Sequence, residues 1–194
     1  DYCRSPHCLQ AFRTWLQKKY PSLERLNALW KTSFSRWEEV VPPRLDEAKQ
    51  QENFAPWLEH RRFMLGALDA GVETVLQTVR DLDPQGKLAH SGQGLTRVND
   101  CWDWRVMLRH YSLSGLYGRN SGLPDLVRTL QPGYPAGLWN GYGMPLEMIR
   151  SNCWNDLCNG LFAPAYWYDQ YFYRRGDNRL NETGLHQQKL IAEV

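Results

Sequence analysis

Aromatic rings and polar side chains that suit ligand binding gather at four points in the second half of this chain. A sugar ring stacks its apolar face on aromatic side chains, and its hydroxyls hydrogen-bond to amides and carboxylates. The residue types at these points therefore favour carbohydrate binding. The candidates are Trp102, Asp103, Tyr117, Asn120, Trp139, Tyr142, Trp167 and Tyr168. For each aromatic residue the alternative is ordinary packing, because large side chains dominate any core.

Four short strands are predicted to position these residues. After Asp83 the sequence follows a rhythm of strand, loop and helix that occurs four times. Pro124 and Pro145 stand where a first helical turn tolerates proline, and Gly160 stands where a helix end favours glycine. The strands are predicted at residues 87–91, 112–117, 136–140 and 161–166, and the helices at 99–110, 124–130, 145–159 and 182–194. Alternating strands and helices predict a parallel sheet, so the residues after each strand should meet at one edge.

Helical patterns dominate the residues that precede the strands. Ser5 followed by Pro6 is typical of a helix start, and Pro21 ends that helix. Ser22 can cap a second short helix. The charged, proline-containing stretch 32–53 is predicted to be an irregular connection.

The longest periodic element runs from Trp57 to Leu82. Its apolar residues lie three or four positions apart over about seven turns. They are Trp57, Met64, Leu65, Leu68, Val72, Val75, Leu76, Val79 and Leu82. The spacing predicts one helix whose apolar face points into a core.

Four strand–helix units preceded by a long helix predict an α/β fold, the C-terminal half of a (β/α)8 TIM barrel, whose full form takes about 250 residues. Residues 1–53 are assigned to the loop and helical region after the fourth barrel strand, 54–82 to the fourth helix, and 83–194 to strands and helices 5 to 8. The N-terminal half-barrel is missing from this chain. An open piece with four strands leaves an edge and an inner face uncovered, so we do not expect a self-sufficient domain.

Composition and charge limit the classes of partner that this chain can bind. The net charge is +2 with basic and acidic residues interspersed, which argues against a nucleic-acid binder. No apolar run approaches the roughly 20 residues of a membrane-spanning helix, so no membrane partner is predicted. The chain starts with neither an initiator Met nor a signal peptide. Five cysteines in this length argue against a disulfide scaffold. The sequence does not predict the cellular compartment. It leaves self-association into a homo-oligomer as an open alternative.

The stretch from Ala11 to Trp30 carries a family resemblance. With Cys3, Cys8 and Phe34 it follows the form Cys…Cys-x-x-x-Phe-Arg-x-Trp-Leu-x-x-Lys-Tyr-x-Ser-Leu-x-x-Leu-Asn-x-x-Trp-x-Thr-x-Phe. This sequence pattern resembles that of glycoside hydrolase family 42, the β-galactosidase family of the (β/α)8 glycosidases. Residues 53–63 resemble the start of the family's fourth helix, and beyond them only the architecture carries the match. The resemblance implies a glycosidase acting on β-galactosides or related oligosaccharides.

The resemblance also implies a catalytic pair. Retaining glycosidases use two carboxyl groups about 5 Å apart. In the family both are Glu, and the one at the end of the fourth strand would precede Asp1. The other, the nucleophile, would stand at Asn140, whose amide cannot form the glycosyl ester. Either the register differs, with Glu147 as the nearest substitute, or the chain is a catalytically silent carbohydrate-binding relative. Glu147 is also typical of a helix start, where a carboxylate complements the dipole. An unrelated α/β module is the third hypothesis.

The family further implies a small zinc-binding cysteine cluster of the form Cys-x-Cys-x-x-Cys at this point. This chain has Cys3, His7 and Cys8 instead, with one thiolate fewer and a different spacing. Zinc takes four ligands, so these residues would need Asp1 as well. The alternative is a buried Cys8 on the helix and a free Cys3. No cofactor is required for the glycosidase chemistry, and a structural zinc is left as an open expectation.

Overall fold

A computed structural model of the chain describes residues 2–95, 100, 102–118, 122–141, 144–161, 165–167, 172–174 and 176–193, with only the backbone given at 93, 141 and 165–167. The chain divides into two compact units. The first comprises Asp1–Thr78 and Thr96–Asp103, and the second comprises Val79–Leu95 and Trp104–Val194.

The first unit is helical, and its first two helices begin where the capping residues predict. The side chain of Ser5 accepts a hydrogen bond from the backbone N–H of Cys8, and that of Ser22 from Arg25. These bonds satisfy N–H groups that a helix start leaves unpaired. The elements are α1 (Pro6–Lys19), α2 (Leu23–Trp30), a 3-10 turn (Trp37–Glu39), α3 (Leu45–Gln50) and α4 (Ala55–Leu82), whose last residues from Val79 on belong to the second unit.

The prediction of an irregular connection over 32–53 is wrong for its second half, which contains α3. The helix begins after Arg44, whose backbone N–H donates to the Glu47 side chain over 2.6 Å. Arg is not among the usual capping residues, so the residue type does not indicate this helix start.

An apolar cluster rich in aromatic rings packs the helices of the first unit together. Phe12 and Leu16 of α1 pack with Leu26 and Trp30 of α2, and all four are buried. The rings of Phe12 and Trp30 stack with centroids 6.5 Å apart. Phe63 of α4 completes the cluster, 5.4 Å from the Phe12 ring.

Helix α4 has the predicted length, but the prediction that its apolar stripe faces a core is wrong toward its C-terminus. Trp57 and Leu76 are buried, whereas Val75 is 63% exposed and Leu82 is 84% exposed. Periodicity fixes which residues share a helix face, while burial depends on what packs against that face.

The second unit confirms the parallel sheet. Its strands pair side by side in chain order, all of them parallel. The strands are β1 (Ala89–Gln93), β2 (Leu113–Leu116), β3 (Ala136–Gly141) and β4 (Ala165–Trp167). The helices are α5 (Trp104–Met107), α6 (Leu123–Leu130), α7 (Leu146–Cys158) and α8 (Glu182–Glu193). The element order is the one predicted, although α5 is much shorter than the 99–110 expected.

The sheet of the second unit has two chemically different faces. We call the side that carries Leu116, Leu138 and Asn140 the helix face, and all three residues are buried. Its neighbours include α7, which hydrogen-bonds to Asn140. Alternation along a strand sends Trp139 to the opposite side, which we call the ring face.

Candidate functional site

Tyr117 and Trp139 form a stacked aromatic pair at the carboxyl edge of the sheet, which we call the ring pair. Their ring centroids are 6.5 Å apart and the planes differ by 24°. Leu116 of β2 is in register with Leu138 of β3. Tyr117 and Trp139 are the residues that follow these two, so they lie side by side. Both side chains are half-buried. The structure therefore brings together two of the residues that the sequence predicts for sugar stacking.

Each ring of this pair lies against a glycine of the preceding strand. A β-carbon on Gly115 would come within 2.7 Å of the Trp139 Nε1 atom. A β-carbon on Gly92, whose φ is +99°, would come within 3.1 Å of the Tyr117 ring. The absence of side chains at these two positions is what lets the rings approach the sheet. A glycine inside a strand is a known sign of close approach, and both glycines carry that signal although neither was among the predicted site residues.

Asn140 is fully buried and directed toward α7. Its Oδ1 atom accepts a hydrogen bond of 2.9 Å from the Nδ2 atom of Asn152. Because neighbouring residues of a strand point to opposite sides, the Asn140 amide lies on the helix face and Trp139 on the ring face. The structure does not bring the Asn140 side chain beside the ring pair. Asn152, the partner of this buried amide, was not among the predicted site residues.

Glu147 occupies the first turn of α7 and is exposed. A carboxylate at this position complements the helix dipole, as the sequence predicts. Nothing in its surroundings among the described residues singles it out as a nucleophile.

The remaining candidates are placed only in part. Trp102 and Asp103 belong to the first unit and are half-buried there. Trp167 is the last residue of β4, where only the backbone is described. Asn120, Tyr142 and Tyr168 lie outside the described residues.

His90 of β1 is a titratable group near the sheet. Its ring meets Trp104 edge-on at 6.0 Å and lies 5.3 Å from the Tyr111 ring. Burial among these rings lowers the pKa of His90 to about 4, so the imidazole is neutral at pH 7. Its neutral ring packs as part of the aromatic layer beside α5.

Cys3 and Cys8 meet at the start of α1. Their Sγ atoms are 2.6 Å apart, and Cys3 Sγ also lies 3.5 Å from the Ser5 hydroxyl. Hydrogen bonds from Cys8 and Ser5 lower the pKa of Cys3 to about 7. Cys3 and His7 are exposed, while Cys8 is half-buried.

Cys3 and Cys8 supply two of the four ligands that a structural zinc ion takes. The described part of the chain contains no group of three or more His, Cys, Asp or Glu side chains that could hold a metal.

Comparison with known proteins identifies relatives. The family model of glycoside hydrolase family 42, described as beta-galactosidase, matches residues 1–120. Beta-galactosidase BgaP of Planococcus sp. (strain L4) is 26% identical over 69% of this chain and 22% of its own length. Beta-galactosidase bgaB of Geobacillus kaustophilus is 26% identical over 80% of this chain and 24% of its own. A beta-galactosidase of Arthrobacter sp is 32% identical over 73% and 24%. The chain spans about a quarter of these relatives.

Two solved structures are similar in fold. The catalytic domain of beta-amylase from Paenibacillus polymyxa matches with a TM-score of 0.69 over 95% of this chain and 53% of its own, at 15% identity. An exo-beta-agarase matches with a TM-score of 0.58 over 94% of this chain and 29% of its own, also at 15% identity. These likenesses confirm the partial α/β barrel. None of the helices within the described ranges is long and apolar enough to cross a membrane.

Proposed function

The chain belongs to glycoside hydrolase family 42, the β-galactosidase family, and from this membership we propose that it forms part of a glycosidase acting on β-galactosides or related oligosaccharides. The observation that carries the proposal is the stacked pair of Tyr117 and Trp139 at the carboxyl edge of the sheet. In barrels of this architecture ligands bind at that edge.

We assign the ring pair the task of binding the sugar. A half-buried indole and phenol stacked over glycines offer a flat apolar surface to one face of a pyranose. Further contacts to the sugar are proposed for Trp102, Asp103, Asn120, Tyr142, Trp167 and Tyr168. The assignment of residues 1–53, 54–82 and 83–194 to successive parts of one barrel is part of the same proposal.

Hydrolysis with retention would require two carboxyl groups on either side of the glycosidic bond. The acid/base would come from outside this chain, at the end of the fourth strand, and the nucleophile from the end of the seventh. Asn140 stands where the family resemblance puts that nucleophile, and Glu147 is the nearest carboxylate after it. The mechanism needs no cofactor, because one carboxyl group supplies the proton and the other forms the covalent intermediate.

The second candidate function is a catalytically silent carbohydrate-binding relative. The state of Asn140 favours it: the residue is an amide, is fully buried and hydrogen-bonds to Asn152 of α7. An amide cannot replace a carboxylate in the covalent step. In this case the ring pair would bind sugar without cleaving it.

One experiment on the full-length protein separates the two functions. Hydrolysis of an aryl β-galactoside is followed by absorbance, and binding of a β-galactoside by calorimetry. Turnover with retained anomeric configuration supports the glycosidase. Binding without turnover, with turnover gained in Asn140→Glu, supports the silent relative. If neither turnover nor binding is found, both proposals are wrong.

A further inference from the structure

We infer that Trp104 of α5 is a positioning residue for the ring pair and acts through the end of β1. Its indole N–H donates a hydrogen bond of 3.2 Å to the carbonyl of Gly94, and Gly94 lies against Tyr117. All three residues belong to the second unit. The inference rests on the proposed function, because it gives Trp104 a part in the sugar affinity of that same pair.

The end of β1 contains a bulge beside Tyr117. Ser91 and Gln93 face consecutive residues of β2, so Gly92 is an extra residue on β1. The φ of Gly92 is +99°, a value that favours glycine. A bulge interrupts the regular pairing of two strands and bends the strand that carries it. The position of this strand end therefore depends on contacts made outside the regular ladder.

This strand end contacts both the ring and the backbone of Tyr117. A β-carbon on Gly92 would lie 3.1 Å from the Tyr117 ring. A β-carbon on Gly94 would lie 3.5 Å from the Tyr117 carbonyl oxygen and 4.0 Å from its β-carbon. The same ring stacks on Trp139. A shift of the strand end therefore changes the space that the Tyr117 ring has beside Trp139.

Trp104 is placed to prevent such a shift. The residue is only 3% exposed, and its ring meets His90 of β1 edge-on at 6.0 Å. An indole has one hydrogen-bond donor and no acceptor. Trp104 directs this donor to Gly94 and so joins α5 to the chain just after the bulge.

The alternative is that Trp104 only fills the core. The two roles differ in what the N–H group does, since packing depends on the shape of the ring and positioning depends on the hydrogen bond. Replacement of Trp104 by 3-benzothienylalanine keeps the shape and puts sulfur in place of the N–H group. Trp104→Phe also removes the donor, but it leaves a smaller ring.

Calorimetry with a β-galactoside on the full-length protein tests the role of the N–H group. We expect the benzothienylalanine variant to bind the sugar about three- to tenfold more weakly than the native protein, as for the loss of one hydrogen bond. Trp104→Phe should lose at least as much affinity. Hydrogen exchange followed by mass spectrometry should show faster exchange of the backbone amides at residues 89–95 in both variants, without any ligand.

Two controls separate positioning from a general loss of stability. Val127→Ala removes two methyl groups from a fully buried residue of α6 and should lower the midpoint of urea unfolding at least as much as the benzothienylalanine replacement does. Its sugar affinity should nevertheless stay native. Trp154→Phe changes an exposed tryptophan of α7 and should alter neither property.

The outcomes distinguish this inference from the proposed function. If the native protein binds β-galactosides and the benzothienylalanine variant binds them equally well, Trp104 only packs the core and the inference alone is overturned. An equal loss of affinity in Val127→Ala also overturns it, because affinity would then follow stability. If the native protein binds no β-galactoside, the proposed function is wrong and the inference falls with it.

Discussion

The indole of Trp139 lies over Gly115 of the neighbouring strand, so closely that a β-carbon on Gly115 would come within 2.7 Å of the indole nitrogen. Real β-carbons do not approach ring atoms that closely. The ring can lie here only because Gly115 has a hydrogen atom where other residues have a β-carbon.

Gly115→Ala should displace Trp139 and damage both stability and sugar binding. Overpacking of a tight site costs about 1–3 kcal/mol in the free energy of unfolding, and the moved indole no longer stacks parallel to Tyr117. Chemical denaturation and calorimetry with a β-galactoside measure the two effects. The control is Gly66→Ala in α4, where the added methyl group meets nothing within 4 Å beyond the adjacent residues and backbone of its own helix. Because alanine favours a helix, Gly66→Ala should stabilise by about 0.5–1 kcal/mol.

The starts of α1 and α2 and the order of the strands could be predicted because their signals lie in short stretches of sequence. Ser5 and Ser22 cap α1 and α2 through hydrogen bonds that span three residues. The parallel sheet follows from the alternation of strands and helices, which is visible without coordinates.

The orientation of the site residues could not be predicted in this way. A shift of one residue in strand register moves every side chain to the other face, so the order of strands and helices does not determine the face to which Asn140 points. The glycines under Trp139 and Tyr117 act across strands that are distant in the sequence. The helix start at Arg44 depends on a contact with Glu47 that the residue type does not suggest.

His90 should make the protein less stable in mild acid. Burial lowers its pKa in the folded protein to about 4, whereas an unfolded histidine titrates near 6.5. Between these values the unfolded chain binds a proton that the folded chain does not, so stability is lost as the pH falls from about 6.5 to about 4. The expected contribution is about 1–3 kcal/mol.

Urea denaturation across this pH range, on the native protein and on His90→Gln, checks the histidine prediction. The variant should lose less stability toward pH 4 than the native protein. His7→Gln, which removes an exposed histidine, should keep the native pH profile. Identical profiles for the native protein and His90→Gln would show that His90 is protonated freely in the folded state.

Glu59→Gln should destabilise the first unit. Glu59 is buried, and its carboxylate accepts from Lys19 of α1 over 2.6 Å and from Arg62 over 2.8 Å. Removing the negative charge weakens both bonds and should cost about 1–3 kcal/mol. Thermal unfolding measures the loss. Glu39→Gln is the matched control, because the pair of Glu39 with Arg36 is solvent-exposed and should matter far less. Equal effects of the two substitutions would contradict the prediction.

The contact between Asn140 and Asn152 should appear as an energetic coupling. Asn140→Ala and Asn152→Ala each break the 2.9 Å bond that joins the end of β3 to α7. A double-mutant cycle should give a coupling of about 1 kcal/mol, because the second substitution removes a bond already lost. The exposed contact of Asn155 with Asn159, at 3.3 Å, should show almost none.

The opposite directions of Trp139 and Asn140 lead to a last prediction about sugar binding. Trp139→Ala removes half of the ring pair, so the affinity of the full-length protein for a β-galactoside should fall at least tenfold, about 1.4 kcal/mol. Asn140→Ala changes a residue on the helix face, so its affinity should change less than about twofold, well under 1 kcal/mol. Both variants are first checked by thermal unfolding, so that binding is compared on folded protein.

Trp154→Ala serves as the control for loss of a tryptophan, because Trp154 is an exposed residue of α7. It should bind sugar like the native protein. A large loss of affinity in Asn140→Ala, with a small one in Trp139→Ala, would mean that the sugar approaches from the helix face. Asn140 would then be in contact with the substrate, as the family nucleophile position requires, and the ring pair would only stabilise the edge of the sheet.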